Sequence, residues 1–181
     1  MRLIKIPTVL LFLFLFLNSC VDNLNFDDTD LNLTPTFTSP LISFNLNQND
    51  FIDQINNVDD LEIDAIVGDF TVLQSDGVRD NLTRLQINME ISNQFDRAIT
   101  ISVSFEDDLG NITFVHPSFV VLSNENNFKR EINILISNNP LFLASKKIRF
   151  NVILAPSITP LDPSISRTFD FKSTGTYYLN I

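Results

Sequence analysis

The sequence has no tryptophan, one cysteine, one histidine and four glycines in 181 residues. One cysteine excludes a disulfide within the chain, and this inventory excludes a zinc site built from several histidine and cysteine ligands. No glycine-rich loop precedes a helix, so the usual cradle for a phosphate group is missing. Stability must therefore come from buried apolar surface, much of which the seventeen phenylalanines supply.

Basic residues are missing from a long stretch of the chain. Residues 20–78 contain twelve aspartates and glutamates and no lysine or arginine, whereas residues 79–181 contain ten residues of each sign. The formal net charge is −10, and removal of residues 1–19, with Arg2 and Lys5, changes it to −12. Phosphate groups repel so acidic a chain, which excludes nucleic acid as a partner.

The first twenty residues combine a basic start with a long apolar run. Arg2 and Lys5 precede residues 6–17, which are almost all apolar, and this profile is typical of a secretory signal peptide. As a helix, such a run reaches about 18 Å, short of the roughly 30 Å hydrocarbon layer of a membrane. The pattern therefore predicts a signal peptide and not a permanent membrane span.

The signal ends in Leu17-Asn18-Ser19-Cys20, which resembles the lipobox of bacterial lipoproteins. Leu17, Ser19 and Cys20 match the apolar, small and acylated positions of that motif. The resemblance implies cleavage after residue 19, a diacylglycerol on the Cys20 sulfur and an acyl chain on its new amino group, with the membrane as partner through these chains. The alternative is a cleaved signal that leaves a soluble secreted protein.

The residues after Cys20 bear on where such a lipoprotein resides. Residues 20–30 are polar and acidic without a sustained period, which predicts a flexible tether. Val21 replaces the aspartate that retains some bacterial lipoproteins in the inner membrane, so the resemblance implies the outer membrane. Periplasmic and surface-facing orientations stay open.

From residue 31 onward, apolar and polar side chains alternate with a period of two. The clearest runs are residues 42–46, 61–65, 85–91, 99–105, 132–136 and 148–154. This alternation predicts strands with one face in a core and the other in water. We expect residues 31–181 to form one all-β domain, a single antiparallel β-sandwich of the immunoglobulin-like kind, with a closed β-barrel as the alternative.

Turn and helix signals fall between these runs. Turn-forming residues occur at 75–77, 92–94, 107–111, 123–127 and 162–164. Asn49 and Asp50 precede apolar residues at 51, 52 and 55, which indicates a capped helix of two turns. Pro140 stands at a plausible first helical position after Asn139. We therefore expect one or two short connector helices.

Residues 85–110 carry a second resemblance. An alternating run that ends in Asn93, a turn, and Asp108-Leu109-Gly110 are similar to the core of late-embryogenesis-abundant type 2 domains, although Gln94 stands where that family has proline. The resemblance implies an immunoglobulin-like sandwich and no particular function.

Two groups of residues invite a chemical interpretation. His116 lies beside Pro117 and Ser118, but no Gly-x-Ser-x-Gly elbow is present, and proline favours an extended backbone at the residue before it. We therefore interpret His116 as the end of a strand and predict no catalytic residue and no cofactor.

The second group is acidic. Asp60, Glu62 and Asp64 alternate along one predicted strand face and, with Asp69, form a candidate calcium cluster, since Ca²⁺ prefers carboxylate ligands. A solvated face that blocks edge pairing explains the same alternation, and we favour it.

These features lead to one main expectation and two alternatives. We expect a lipid-anchored envelope protein that acts as a binding or structural accessory module and contacts other envelope proteins or an extracellular ligand. The alternatives are a carrier that holds an apolar ligand in a Phe-rich interior and, third, a hydrolase that uses surface carboxylates.

Overall fold

The computed structural model describes residues 34–53 and 58–181, with backbone alone at residues 58 and 64–66. Ten strands account for most of these residues: β1 (Thr36–Asn47), β2 (Ile52–Asp53), β3 (Val58–Asp59), β4 (Glu62–Asp69), β5 (Leu82–Asn93), β6 (Ile99–Glu106), β7 (Ile112–Val121), β8 (Phe128–Leu135), β9 (Lys147–Leu154) and β10 (Thr168–Leu179). The helical segments are one α-helical turn, α1 (Asp76–Arg79), and the 3₁₀ turns Gln48–Phe51, Thr71–Gln74, Ile136–Asn138 and Pro140–Ala144.

Eight of the strands form two antiparallel sheets of four. The first sheet has the order β1-β10-β5-β8, the second has the order β4-β9-β6-β7, and β2 and β3 form a separate ribbon. The predicted antiparallel β-sandwich is therefore confirmed, and the described residues form two open sheets and not the alternative closed barrel.

The strand order refines the expected immunoglobulin-like arrangement. Among the eight main strands, only β6 and β7 are consecutive and neighbours in one sheet; every other connection crosses to the opposite sheet. Two four-stranded sheets linked in this way make a jelly roll, whereas the immunoglobulin fold places consecutive strands A and B in one sheet with E and D.

The core lies between the two sheets and is built largely from phenylalanine. Phe171 of β10 packs between Phe44 of β1, at a ring-centroid distance of 4.7 Å, and Phe150 of β9, at 4.8 Å. Towards one end of the sandwich, Phe105 of β6 contacts Phe142 at 4.9 Å. Each fully buried side chain of this size contributes about 1.5–3 kcal/mol relative to exposure, so these rings replace the missing disulfides as the source of stability.

The strand pairing is interrupted where β1 passes β10. The register shifts between Pro40 and Ser43, and there the hydroxyl of Ser173 donates to the Ile42 carbonyl (3.0 Å) and accepts from the Ile42 amide (3.2 Å). Ser173 therefore satisfies backbone groups that the irregular ladder leaves unpaired.

Three of the five predicted turns are confirmed, the segment at 75–77 becomes a helix, and at 92–94 β5 continues to Asn93, so the chain turns later than predicted. Residues 107–111 and 123–127 reverse the chain, with Gly110 at φ 81° and Asn124 at φ 57°. The segment at 75–77 opens α1, where Arg79 Nη2 lies 2.6 Å from Asp76 Oδ1 and supports the turn. Residues 75–77 are typical of a turn, so the sequence did not indicate this ion pair across one helical turn.

The connector helices are shorter than the sequence indicated near residue 50. The helix is one 3₁₀ turn, Gln48–Phe51, and its N-cap is Asn47, which forms a capping box with Asp50. Ile52 already belongs to β2, so a second turn does not form. Pro140 does begin the 3₁₀ turn Pro140–Ala144, as predicted.

Candidate functional site

Among the described side chains, the structure does not bring Asp60, Glu62 and Asp69 together in one site. Glu62 begins β4 and Asp69 ends it, so about 20 Å of strand separates them. Glu62 Oε1 accepts a hydrogen bond from Asn151 Nδ2 at 2.6 Å, and Asp60 and Asp69 are exposed. Across the described residues, no group of three or more aspartate, glutamate, histidine or cysteine side chains is placed to hold a metal ion. Of Asp64, only the backbone is described.

His116 lies in the middle of β7 and not at a strand end, so the interpretation as the end of a strand was wrong: β7 is the edge of the second sheet, and the register shift beside Pro117 lets the strand continue past the proline. Its Nδ1 is 2.6 Å from the Pro117 carbonyl oxygen, and its ring lies edge-on to Phe119 at 6.2 Å. Burial lowers the pKa of the imidazole, and the positive charge of Arg130 lowers it further. These contacts position the ring against a backbone carbonyl and a phenyl ring. They do not connect it to a hydroxyl nucleophile.

The most buried carboxylates are each paired with an arginine. Glu106 Oε1 lies 2.5 Å from Arg149 Nε, and Asp59 Oδ2 lies 3.1 Å from Arg97 Nη1. Arg97 precedes β6 and Glu106 ends it, so the two ion pairs lie at opposite ends of that strand. They do not converge as an acid and a base would.

The Asp59–Arg97 pair fastens the loop between β9 and β10. Asp59 also accepts from the Leu161 amide (3.1 Å), and Arg97 donates to the Thr159 carbonyl. On the same loop, Gln48 donates to the Ile165 carbonyl at 2.6 Å. A cavity of about 290 Å³ lies beside these groups, and the two arginines that line it, Arg97 and Arg167, are each paired with an aspartate. We interpret this network as structural.

Asn93 is a second structural centre that the sequence analysis identified only as a turn residue. Its side chain is fully buried, donates to the carbonyls of Arg97 (3.0 Å) and Leu122 (2.8 Å), and accepts from the Phe95 amide (3.0 Å). One amide thus connects the β5–β6 turn to the end of β7. The asparagine that carries the resemblance to late-embryogenesis-abundant type 2 domains is a structural fastener in this chain.

A surface cavity of the described residues lies at one end of the first sheet. It has a volume of about 640 Å³, and we call it the terminal cleft. Its walls include Leu82, Arg84, Leu135, Ile136, Tyr178 and Leu179. Most of this surface is aliphatic, and its volume lies within the range of about 300–1,000 Å³ typical of small-molecule sites.

Arg84 is the charged group of the terminal cleft. Its guanidinium carbon lies 3.6 Å from the centre of the Tyr178 ring, in the geometry of a cation–π contact. The Tyr178 hydroxyl donates to Gln86 Oε1 (3.1 Å), and Gln86 Nε2 donates to Glu131 (3.0 Å), so the ring under Arg84 is held in place. Within the described residues, Arg84 has no carboxylate partner and donates no hydrogen bond.

Sequence reasoning missed the terminal cleft for a topological reason. Arg84 looked like one of several polar residues that alternate along a strand, and Tyr178 lies far away in the chain. Only the pairing of β5 with β10 places Arg84 opposite Tyr178. Tyr178 lies outside the predicted alternating runs, so the sequence offered no signal for this pair.

The edges of both sheets are protected against pairing with another strand. β1 carries Pro40 beside its register shift, and β7 carries Pro117 beside another. β4 has a shift between Ile63 and Ile66. The remaining edge strand, β8, is short and begins with the charged residues at 129–131. Proline, bulges and charge all disfavour edge-to-edge association.

No helix among the described residues is long and apolar enough to cross a membrane. The signal peptide at 1–19, the acylation site Cys20 and the tether at 20–30 lie outside the described residues. They stay predictions from the sequence.

Among the described residues, the fold is a jelly-roll β-sandwich with an apolar cleft at one end of its first sheet. No protein-family model matches the chain, and a search of curated proteins finds no match. Among solved structures, it is similar to a protein from Parabacteroides distasonis inferred to be secreted, with 13% identity and a TM-score of 0.48 over 77% of this chain and 39% of that one.

The chain is similar to two further solved structures. The VP2 protein of infectious bursal disease virus is 11% identical with a TM-score of 0.43, over 81% of this chain. This chain spans 33% of the length of VP2. A protein of Bacillus endospore appendages is 8% identical with a TM-score of 0.36, over 81% of this chain and 91% of that one.

Proposed function

We propose that the protein is a lipid-anchored lipoprotein of the bacterial cell envelope that acts as a binding or structural accessory module. The pairing of the buried carboxylates supports a module rather than an enzyme. Glu106, at the end of β6, is paired with Arg149, and Asp59 of β3 is paired with Arg97, which precedes β6. Hydrolysis by paired carboxylates requires two such groups that converge on one bond.

The anchor in this proposal is Cys20. Leu17-Asn18-Ser19-Cys20 supports acylation, and two or three acyl chains give stable attachment where one is marginal. Val21 supports the outer membrane as the destination, and residues 20–30 supply the tether between lipid and domain.

The protected edges of both sheets suggest which surfaces of such a module contact its partners. A partner strand cannot extend either sheet easily, because proline, register shifts or charge interrupt each edge. Contacts then fall to the sheet faces, the loops and the terminal cleft. The outward face of the first sheet is polar, with cross-strand bonds such as Asn45 Nδ2 to Asp170 Oδ1 at 2.6 Å.

The Phe-rich interior favours the module over a carrier. Its rings contact one another in pairs, for example Phe70 with Phe105 at 5.2 Å and Phe51 with Phe95 at 5.5 Å. An apolar ligand would have to displace these ring contacts. Substitutions that remove such a ring from a core cost about 3–5 kcal/mol each, and we expect the displacement to cost a similar amount.

Metabolic labelling with a fatty-acid analogue tests the anchor. The full-length wild type should be labelled and recovered with membranes, and Cys20→Ala should be neither. Ser19→Ala is the matched control, because alanine keeps a small residue before the cysteine and should preserve the label. Equal labelling of the wild type and Cys20→Ala would refute the lipoprotein proposal.

Recovery of a partner tests the module. We expect the acylated protein, cross-linked in native membranes and purified, to retain an envelope protein or an extracellular ligand in stoichiometric amount. Recovery of the protein alone, together with turnover of an ester or glycoside substrate that Glu106→Gln abolishes, would instead identify a hydrolase.

A further inference from the structure

Arg84 differs from most arginines of this domain in having no acidic partner. Arg79, Arg97, Arg149 and Arg167 each lie within 3.1 Å of a carboxylate oxygen. Within the described residues, Arg84 has only the Tyr178 ring beneath it. In a chain with a net charge of −10, a half-buried arginine that no carboxylate neutralises is an open site for an anion.

The Tyr178 ring holds this arginine ready for a ligand. Its hydroxyl is fixed by Gln86, and the hydroxyl of Thr83 donates to the Tyr178 carbonyl at 2.9 Å. Stacking on a fixed ring leaves the planar guanidinium with its edge donors free for two parallel bonds to a carboxylate or a phosphate. The entropy cost of ordering the arginine is therefore largely met before binding.

The surroundings of Arg84 select a ligand with an apolar body. Leu82, Ile136 and Leu179 form the base of the terminal cleft with exposed fractions of 5%, 8% and 8%, and Leu135 is 45% exposed at its rim. The apolar part of this wall gains free energy by covering hydrocarbon, and the hydroxyls of Thr34, Thr83 and Ser137 also line the cleft.

We propose that the terminal cleft binds a single-chain anionic amphiphile, with its carboxylate or phosphate head on Arg84 and its hydrocarbon tail against Leu135, Ile136 and Leu179. The ligand is an individual molecule and not the surface of a bilayer, because the net negative charge of the chain opposes an anionic membrane. The site does not depend on Cys20, so it can be tested on mature protein without lipid.

The test uses the mature chain, residues 20–181, with Cys20→Ala. Decanoate and decyl phosphate are titrated, and binding is followed by calorimetry and by tyrosine emission, which no tryptophan obscures. We expect saturable binding of one or both probes, and their ratio shows which head group the arginine prefers. Decyltrimethylammonium, which has the same tail and the opposite charge, should bind at least about tenfold more weakly.

Arg84→Gln should weaken decanoate binding by about tenfold or more, since it removes a charge-assisted bond. Arg130→Gln is the matched control, because Arg130 also stacks on a ring, Phe119 at 5.6 Å, and has no carboxylate partner among the described residues. It lies outside the terminal cleft and should leave binding unchanged. Thermal melts confirm that both variants fold, and Leu135→Gln provides a second test of the tail contact.

Several results would overturn the proposal. Absence of saturable binding by both anionic probes would do so, as would equal binding of the cationic probe or equal loss in the two arginine variants. Binding only to phosphatidylglycerol vesicles would indicate a membrane surface instead. Binding only to an apolar peptide with a free terminal carboxylate would indicate a protein partner. None of these outcomes bears on the labelling of Cys20.

Discussion

Tyr177 and Tyr178 are neighbours in the chain but face opposite sides of the first sheet. The Tyr177 ring is fully buried, stacked on Phe37 at 4.7 Å, and its hydroxyl is a buried group without a hydrogen-bond partner among the described residues. The Tyr178 ring lies under Arg84 outside the core, and its hydroxyl donates to Gln86. The two side chains therefore give a matched pair for substitution.

Tyr177→Phe should stabilise the protein. Removal of a buried, unpaired hydroxyl recovers part of its desolvation cost, and we expect a gain of about 1 kcal/mol in the free energy of unfolding. Tyr178→Phe is the control and should be neutral or slightly destabilising, because it deletes a bond that is made. Thermal or urea unfolding measures both, and a less stable Tyr177→Phe would contradict the assigned burial.

The same phenol predicts a loss of stability in alkali. Burial raises the pKa of Tyr177 well above its usual value of 10.0. The folded state therefore retains this proton after the unfolded state has lost it. Ionisation of Tyr177 therefore does not affect the free energy of unfolding below about pH 10, and it lowers this free energy as the pH rises further towards the folded pKa. Urea unfolding between pH 9 and 11, values chosen at about one unit on each side of the usual pKa, should show a smaller decline for Tyr177→Phe than for the wild type.

At the scale of the element, the hairpin between β6 and β7 depends on one left-handed residue. Gly110 has a φ of 81°, and Asp107 accepts from the amides of Leu109 (2.9 Å) and Asn111 (2.8 Å) across the same turn. Hydrogen bonds to Asn111 hold the pKa of the Asp107 carboxyl below its usual range. The side chain and the glycine together close this hairpin.

Gly110→Ala should lower stability by about 1 kcal/mol, because a side chain in the left-handed region meets the following carbonyl. Space does not limit the substitution, since a Cβ at this position has nothing within 4 Å. Gly77→Ala is the control: it lies in α1, its nearest contact would be 3.9 Å, and it should be neutral or slightly stabilising. Urea unfolding of the two variants compares them, and equal effects would show that φ at Gly110 is unimportant.

The elements also show which parts of the fold can be predicted from a sequence. Period-two alternation identified β1, β4, β5, β6, β8 and β9, because burial of one face imposes that period on any sheet, whereas β7 and β10 were not among the predicted runs. The helix at 76–79 was predicted as a turn, because its ion pair uses residues that are typical of turns, and the helix near residue 50 has one turn where two were predicted.

The pairing of strands could not be read from the chain. Nothing local indicates that β10 lies between β1 and β5, since each strand offers the same backbone groups to any partner. Glu62 and Asp69 of the candidate calcium cluster lie far apart for a related reason, because residues that are close in sequence are well separated along one extended strand. The Arg84–Tyr178 pair required the register itself.

At the scale of the whole molecule, added salt should affect stability only by weakly screening the acidic side chains. If Asp60, Glu62, Asp64 and Asp69 bound calcium, saturation at a hundred times the dissociation constant would add about 2.7 kcal/mol. With Glu62 and Asp69 at opposite ends of β4, we expect the melting temperature of the mature chain to be equal in millimolar calcium and magnesium. A calcium-specific rise that disappears in the double variant Asp60→Asn/Asp64→Asn would reveal a site.

The position of β10 has a consequence for the order of folding events. β1 and β5 do not pair with each other; both pair with β10, and the hydroxyls of Thr38 and Thr176 meet across 138 residues of chain. The first sheet thus cannot be completed until residues 168–179 are available, and contacts of such long range make folding slow. For the exported lipoprotein that we propose, a late last strand would be an advantage, because an unfolded chain is the state that a secretion channel accepts.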